Sequence, residues 1–342
     1  MSYQSDYSGA QVDEAVGKAL NPDAAPTEGS TNLVQSGGVA SAVSAVSNAV
    51  SRRNLLDNWY FVGGGSQQGG GRFPINQRGQ TSYSGTGYGI DRWKIVHSSI
   101  GQEIQSDCLR WKCTTAIGSG NVIYAYFYPT NPLPAGTYTI SFLVKGLDGG
   151  GTWYFSSGTG GYSMGNIAMS VGLVSKTFVA TGSETSPSFY LWHQNALAVN
   201  GYLDIVAAKL EVGSTQTLAH QENGVWVVND IPNFVEELQK CQYYFYRLKA
   251  GEPLYGRRSI GSASYAVFRA PIIMRTTPTA TKDSGNIIIY GQSGVQYTFS
   301  SFNNQWVTYN AIGLYLSANA NYAGESLEMF CESGTISLSA EP

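Results

Sequence analysis

In the heptapeptide Val122-Ile123-Tyr124-Ala125-Tyr126-Phe127-Tyr128, tyrosine returns at every second position. A strand has a side-chain period of two, so Tyr124, Tyr126 and Tyr128 are expected on one face, with Ile123, Ala125 and Phe127 on the other. The run Phe189 to His193 repeats the pattern, setting Tyr190 and Trp192 against Phe189, Leu191 and His193. Each strand then offers an apolar face for a core and a second face of amphipathic rings. The chemistry open to that second face is recognition. A flat ring accepts the apolar C–H side of a sugar, while the phenol or indole tip meets its hydroxyls. Subunit interfaces are enriched in the same residue types, so packing between protomers is the competing reading.

Bond-breaking chemistry finds less support. A hydrolase needs a nucleophile beside a base, or paired carboxylates across a cleft. His97, His193 and His220 show neither HxH nor HExxH spacing, no GxSxG occurs, and the acidic residues are scattered. No short internal period announces a β-helical depolymerase. The glycine tract from Gly63 to Gly71 lacks the strand–GxxxxGK–helix setting of a phosphate cradle and reads as a loop. Cys108, Cys113, Cys241 and Cys331 have no zinc or CxxC spacing and read as small buried hydrophobes. The expectation is a protein without enzyme activity.

Composition agrees. Charged residues make up 13% of the 342, about half the ~25% of ordinary soluble domains, and the net charge is −3. With no basic stripe there is no footprint for nucleic acid, so uncharged ligands, sugars first, suit the chain best. With 41 glycines, 23 tyrosines and few charges it is a poor helix former and a good strand former. No apolar run approaches the ~18 residues of a membrane span, and no signal peptide opens the chain. Synthesis in a cytoplasm without membrane insertion is therefore expected.

These faces must be carried by a small set of elements. Within 1–22 a helix starting at Ser8 or Gly9 places Val12, Val16, Ala19 and Leu20 on one stripe. So short a helix needs a partner surface, and Val12, Val16 and Leu20 are the candidate docking residues. Within 23–53 a polar linker leads to Val39, Val43, Val46 and Val50, spaced four, three, four as a heptad seam. These four valines are the candidate oligomerisation residues. From 54 to 220, strand-like runs separated by glycine turns predict a jelly-roll sandwich. From 221 to 342 a short helix, Pro232 to Cys241, with Phe234, Leu238 and Cys241 on one side, opens a second β-sandwich. Tyr255 and Arg257-Arg258 are placed in a loop, Gly251 to Gly261, Asn303 to Trp306 at a polar-aromatic tip, and Ile336 to Glu341 in a last edge strand.

Three stretches carry a resemblance. Thr31 to Val39 resembles the lead into the oligomerising helices of phage fibre and appendage proteins. Asn54-Leu55-Leu56-Asp57-Asn58-Trp59, Pro74 to Gly79 and Asp91-Arg92-Trp93 resemble the jelly-roll module shared by phage tail proteins and carbohydrate-binding modules, whose usual ending is matched by Ala208 to Ser214. Glu237 to Tyr244, Pro271 to Pro278 and Ser339-Ala340-Glu341 are similar to the C-terminal β domain of prophage tail fibres. The resemblance implies a homo-oligomer, usually a trimer, held to a virion protein by its N-terminus with its distal domains outward. No cofactor is expected; a structural calcium is common in related jelly rolls, and Asp57 or Asp204 would be its candidate ligand here. Arg78, Asp91 and Trp93 read as structural.

The reading is thus a mainly β virion protein of four parts. These are an N-terminal docking helix, a short coiled coil, a jelly roll and a second β-sandwich. Its expected function is attachment to a bacterial surface glycan or other receptor. The alternative is a purely structural virion component (head fibre, collar or baseplate decoration) that bridges other virion proteins.

Overall fold

A computed structural model describes residues 8–24, 32, 34, 38–39, 51–65, 72–248, 251–258, 263–290, 296–299, 301–309, 311–317, 327–331 and 335–341. Helix α1 (Gly9–Leu20) begins at Ser8, whose hydroxyl accepts from the Gln11 amide while the Gln11 side chain accepts from the Ser8 amide. This reciprocal capping box satisfies two amides that the first turn leaves free. Val12, Val16 and Leu20 are all exposed along α1, as is Val39. Val43, Val46 and Val50 lie outside the described residues.

The first domain is built from short strands. They are β1 (Ser82–Ser84), β2 (Gly87–Tyr88), β3 (Lys94–Ile95), β4 (Ile100–Ile104), β5 (Leu109–Cys113) and β6 (Asn121–Phe127). The chain continues through β7 (Gly136–Asp148), β8 (Thr152–Ser157), β9 (Ile167–Ala168), β10 (Gly172–Ala180), β11 (Phe189–Gln194) and β12 (Tyr202–Val212). Among the described residues they form two six-stranded antiparallel sheets, ordered β1-β4-β5-β12-β7-β10 and β2-β3-β6-β11-β8-β9. From β5 on, the chain changes sheet at nearly every turn, so both sheets must form for either to be covered. One core lies between them, with Trp93, Trp111, Trp153, Phe127, Phe142, Phe155 and Phe189 among its buried rings. Trp93 and Phe127 stack at 4.8 Å, and Phe127 and Phe189 at 5.4 Å.

The two ends of this domain are fastened to each other. The Asn54 amide donates to the Ala208 carbonyl at 2.8 Å and its oxygen accepts from the Leu210 amide at 3.0 Å. The side chain thereby completes a ladder against β12. Lys209, buried in β12, donates to Ser51 and to Thr217, and Glu211 accepts from the Thr217 amide. Burial lowers the Lys209 pKa. The segments that open and close this domain are thus one joint, which explains charged side chains in a core strand.

A hairpin of β13 (Ala219–Glu222) and β14 (Val225–Val228) follows, and Leu218, Ala219, Trp226 and Val228 pack on the first core. Helix α2 (Phe234–Gln242), capped by the Asn233 side chain, turns Phe234, Leu238 and Cys241 onto Tyr60, Phe73 and Ile75. The second domain holds β15 (Phe245–Leu248), β16 (Pro253–Arg258), β17 (Ala263–Arg269), β18 (Thr279–Ser284), β19 (Ile287–Tyr290) and β20 (Gln296–Phe299). It ends with β21 (Asn303–Val307), β22 (Ala311–Ser317), β23 (Leu327–Cys331) and β24 (Thr335–Ser339). Among the described residues two sheets result, β15-β24-β18 and β20-β19-β23-β16-β17-β22-β21. Leu248, Ile287, Ile312, Leu314, Ile336 and Leu338 form one core from both sheets.

Three expectations need correcting here. Tyr255 and Arg257-Arg258 belong to β16, which is paired on both sides by β17 and β23, so the loop is a strand. Asn303 to Trp306 belong to the edge strand β21 and form no separate tip. Residues 335–339 are the central strand of their sheet, because the polar Thr279–Ser284, with no apolar alternation to betray it, pairs along their far side.

The domains meet through a buried polar seam. Asn58 donates to the carbonyls of Ile75 and Asp91, both at 2.8 Å, and accepts from the Ile75 amide at 2.6 Å. Its own amide donates to Glu237 of α2 at 2.9 Å. Gln77 bridges Asp91 and the Phe245 carbonyl, while Arg78 pairs with Asp91 and Glu341 and lies 3.8 Å over the Phe245 ring. Burial raises the Glu341 pKa from 4.5 to about 7, against the opposing pull of Arg78. A carboxyl whose folded pKa lies above its unfolded one binds the extra proton in the folded state. Its contribution is complete below about pH 4.5 and is lost as pH rises through 7. Relative to Glu341→Gln, the wild-type chain should therefore lose on the order of 3 kcal/mol between pH 4.5 and 8 in urea unfolding. A difference that is flat with pH would show that the carboxyl stays ionised throughout.

Candidate functional site

The sheet containing β6, β11 and β8 has one face in the core and one turned outward. The outward face carries Tyr126 opposite Tyr190, and Trp192 opposite Tyr154. Tyr126 and Tyr190 meet edge to face at 6.1 Å, whereas Tyr154 and Trp192 stack at 4.5 Å with planes 16° apart. The Tyr154 hydroxyl donates to Gln194 at 3.2 Å. Lys94 of β3 is in register with Tyr126, and its ammonium lies 5.5 Å from the Tyr88 ring. The result is a band of rings across four strands, with its tyrosines half-buried. Trp192 is only 8% exposed, and its indole N–H has no acceptor among the described residues.

Tyr124 is not part of this band. The register between β6 and β11 shifts at Leu191/Trp192: Leu191 faces Ala125 and Trp192 faces Ile123, which leaves Tyr124 as the extra residue of a bulge. A bulge reverses the alternation, so Tyr124 turns inward with Phe127, is buried, and packs 4.8 Å from Trp153. Ile123 takes the outward place. Tyr128 lies just past the end of β6 and lines a recess at the domain seam rather than the face. Tyr154, conversely, was absent from the expected platform. The run Thr152 to Phe155 reads as a strand in the sequence, but only the pairing of Tyr154 with Trp192 reveals its role.

The other candidate chemistries are accounted for locally. Asp57 pairs with Arg92 and accepts from Thr130, and Asp204 is held by both ends of the Arg110 guanidinium at 2.8 Å. The two expected calcium ligands are therefore arginine partners, and no cluster of three ligating side chains occurs among the described residues. His97 accepts from the Ser99 amide, His193 donates to the Gly150 carbonyl, and His220 lies between Asn229 and Glu222 on an exposed hairpin. Cys108, Cys113 and Cys241 are buried and unpaired, and burial pushes the Cys108 thiol up to about 12. Such a thiol is not a nucleophile at neutral pH. No helix among the described residues is long and apolar enough to cross a membrane.

No family model matches the chain, and no curated protein matches its sequence. Among solved structures it is similar to the adhesin domain of Epf from Streptococcus pyogenes, at 10% identity over 83% of this chain and 94% of that one, with a TM-score of 0.27. It is also similar to the N-terminal CBM22-1-CBM22-2 tandem domain of Xyn10C from Paenibacillus barcinonensis, at 11% identity over 84% and 96%, with a TM-score of 0.26. At that level of likeness, the class that stands is the one its own strands define: a mainly β protein of antiparallel sheets.

Proposed function

We propose that this chain is a phage fibre or adhesin subunit that binds glycan on a bacterial surface through the outer aromatic face of its first domain. The observation that carries the reading is the band of Tyr126, Tyr190, Tyr154 and Trp192, held outside the core on a rigid sheet. Rings fixed by stacking lose little freedom on binding, and their faces suit the apolar sides of sugar rings. The part near the N-terminus would attach to another virion protein through the exposed stripe Val12, Val16 and Leu20 of α1. A homotrimer zipped by Val39, Val43, Val46 and Val50 would present several faces at once, so that weak single sites add up by avidity. No catalysis is part of this role, and its setting is the virion.

Binding of the full-length protein to bacterial cells and to a glycan array tests it, with Tyr190→Ala and Trp192→Ala alongside. Each substitution should weaken binding by at least tenfold, about 1.4 kcal/mol, with oligomer mass unchanged. Unaltered binding would remove the face from the reading. Loss of oligomer mass would assign the rings to subunit packing, and no binding by the wild-type protein would favour a purely structural virion component.

A further inference from the structure

At the seam between the domains, the recess that Tyr128 lines has a volume of about 290 Å³. Tyr128 and Pro132 line it from the first domain, Tyr243, Tyr244 and Arg275 from the second, and Arg92 is part of its wall. It shares no lining residue with Tyr126, Tyr154, Tyr190 and Trp192. We propose that this recess is a separate site for a saccharide bearing a carboxylate.

Arg92 makes the case. It is only 2% exposed, its Nε donates to Asp57 at 3.2 Å, and its guanidinium lies 3.4 Å over the Tyr244 ring. One terminal nitrogen, almost without exposed surface, has no acceptor among the described residues, and Arg92 belongs to the recess wall. A buried guanidinium N–H without an acceptor is costly, and a carboxylate oxygen is the acceptor that answers it most strongly. The backbone of Arg92 has φ 72, a region disfavoured for any residue with a long side chain. Strain of this kind persists where the surroundings impose it, and it gathers at ligand sites.

The rest of the lining fits the remainder of a sugar. Arg275 is exposed, its Nε donates to the Ala340 carbonyl at 3.1 Å, and it has no acidic partner among the described residues. Its guanidinium therefore leaves positive charge beside the recess that Asp57 does not neutralise. Tyrosine and proline supply flat apolar walls for C–H groups, and the exposed Asn131 amide supplies a polar contact for hydroxyls. The volume is near the lower end of the ~300–1,000 Å³ of small-molecule sites, room for one sugar unit rather than a long chain segment.

Calorimetric titration of the full chain with a glucuronate-terminated disaccharide and its glucose-terminated counterpart decides the matter. The carboxylated sugar should bind about tenfold more tightly, with the preference shrinking at high salt. Arg275→Gln should cut the preference severalfold, leaving the part that Arg92 supplies, and Tyr243→Ala, at a residue 39% exposed, should weaken both sugars. Val199→Ala, at an exposed residue outside both the recess and the aromatic band, should change neither. Equal affinities, no binding of the carboxylated sugar, or a preference unchanged by Arg275→Gln would overturn the proposal. A preference removed by Tyr190→Ala but not by Arg275→Gln would move the ligand to the outer face, refuting the seam site while leaving the fibre reading intact.

Discussion

Asn58→Leu is expected to destabilise the protein by about 4–6 kcal/mol, a large share of a typical domain's ~5–15 kcal/mol. The side chain is wholly buried and satisfies three backbone groups of two other segments, Ile75 N–H, Ile75 C=O and Asp91 C=O. Leucine would leave the Ile75 N–H and the Asp91 C=O without that partner, at about 1–3 kcal/mol each, while the Ile75 C=O keeps the Asp91 amide at 3.4 Å. Asn58 also sits at φ 53, a left-handed backbone that asparagine tolerates and leucine resists by a further ~1–2 kcal/mol. Asn58→Gly separates the two terms, since glycine keeps the backbone and loses the bonds. Urea unfolding of both variants should place glycine above leucine by that backbone difference. If the two are equal, the φ contributes nothing and the hydrogen bonds carry the whole effect.

Arg78→Ala should cost about 3–5 kcal/mol and split the thermal transition in two. The guanidinium stands between Asp91 and Glu341, both almost fully buried, and covers the Phe245 ring. Alanine leaves two buried carboxyls without their cation and opens the seam where residue 341 returns to the first domain. The loss falls mainly on the coupling, so calorimetry should show a second domain melting below the first. A triple variant, Arg78→Met with Asp91→Asn and Glu341→Gln, removes the charges together and should recover most of the loss. If Arg78→Ala keeps a single transition at the wild-type temperature, the seam is not what joins the domains.

Much of this was legible in the residues. The strand runs from Ile123 to Tyr128, Thr137 to Val144 and Ile312 to Ser317 alternate or are rich in β-branched and aromatic residues, and each falls on a strand, the first ending one residue early at Phe127. Both described helices start at a side-chain cap, Ser8 and Asn233, and the stripe Phe234, Leu238, Cys241 packs as its spacing implies. These features depend on neighbours within one or two turns, and local periodicity reports such neighbours faithfully. Polar strands such as Thr279–Ser284 escaped because a strand is recruited by its partner's open edge as well as by its own pattern.

The site shows the same division more sharply. Period two rightly put Tyr126 with Tyr190 and Trp192 on an outer face, since each position follows from the strand it occupies. It misplaced Tyr124, because a bulge is a mismatch between two strands and cannot be read from one of them. Nor could it show that Asn58, Arg78, Asp91, Glu237 and Glu341, far apart in the chain, share one buried network. It likewise could not tell that Asp57 and Asp204 each pair with an arginine. By itself the sequence determined which segments are strands, which faces are aromatic, and that the chain is mainly β, all properties of short-range pattern. Only the tertiary structure decided which ring turns inward, which charges neutralise each other, and that the two domains close around a recess. Those outcomes depend on register and contact between segments tens to hundreds of residues apart, where burial makes every unpaired group count.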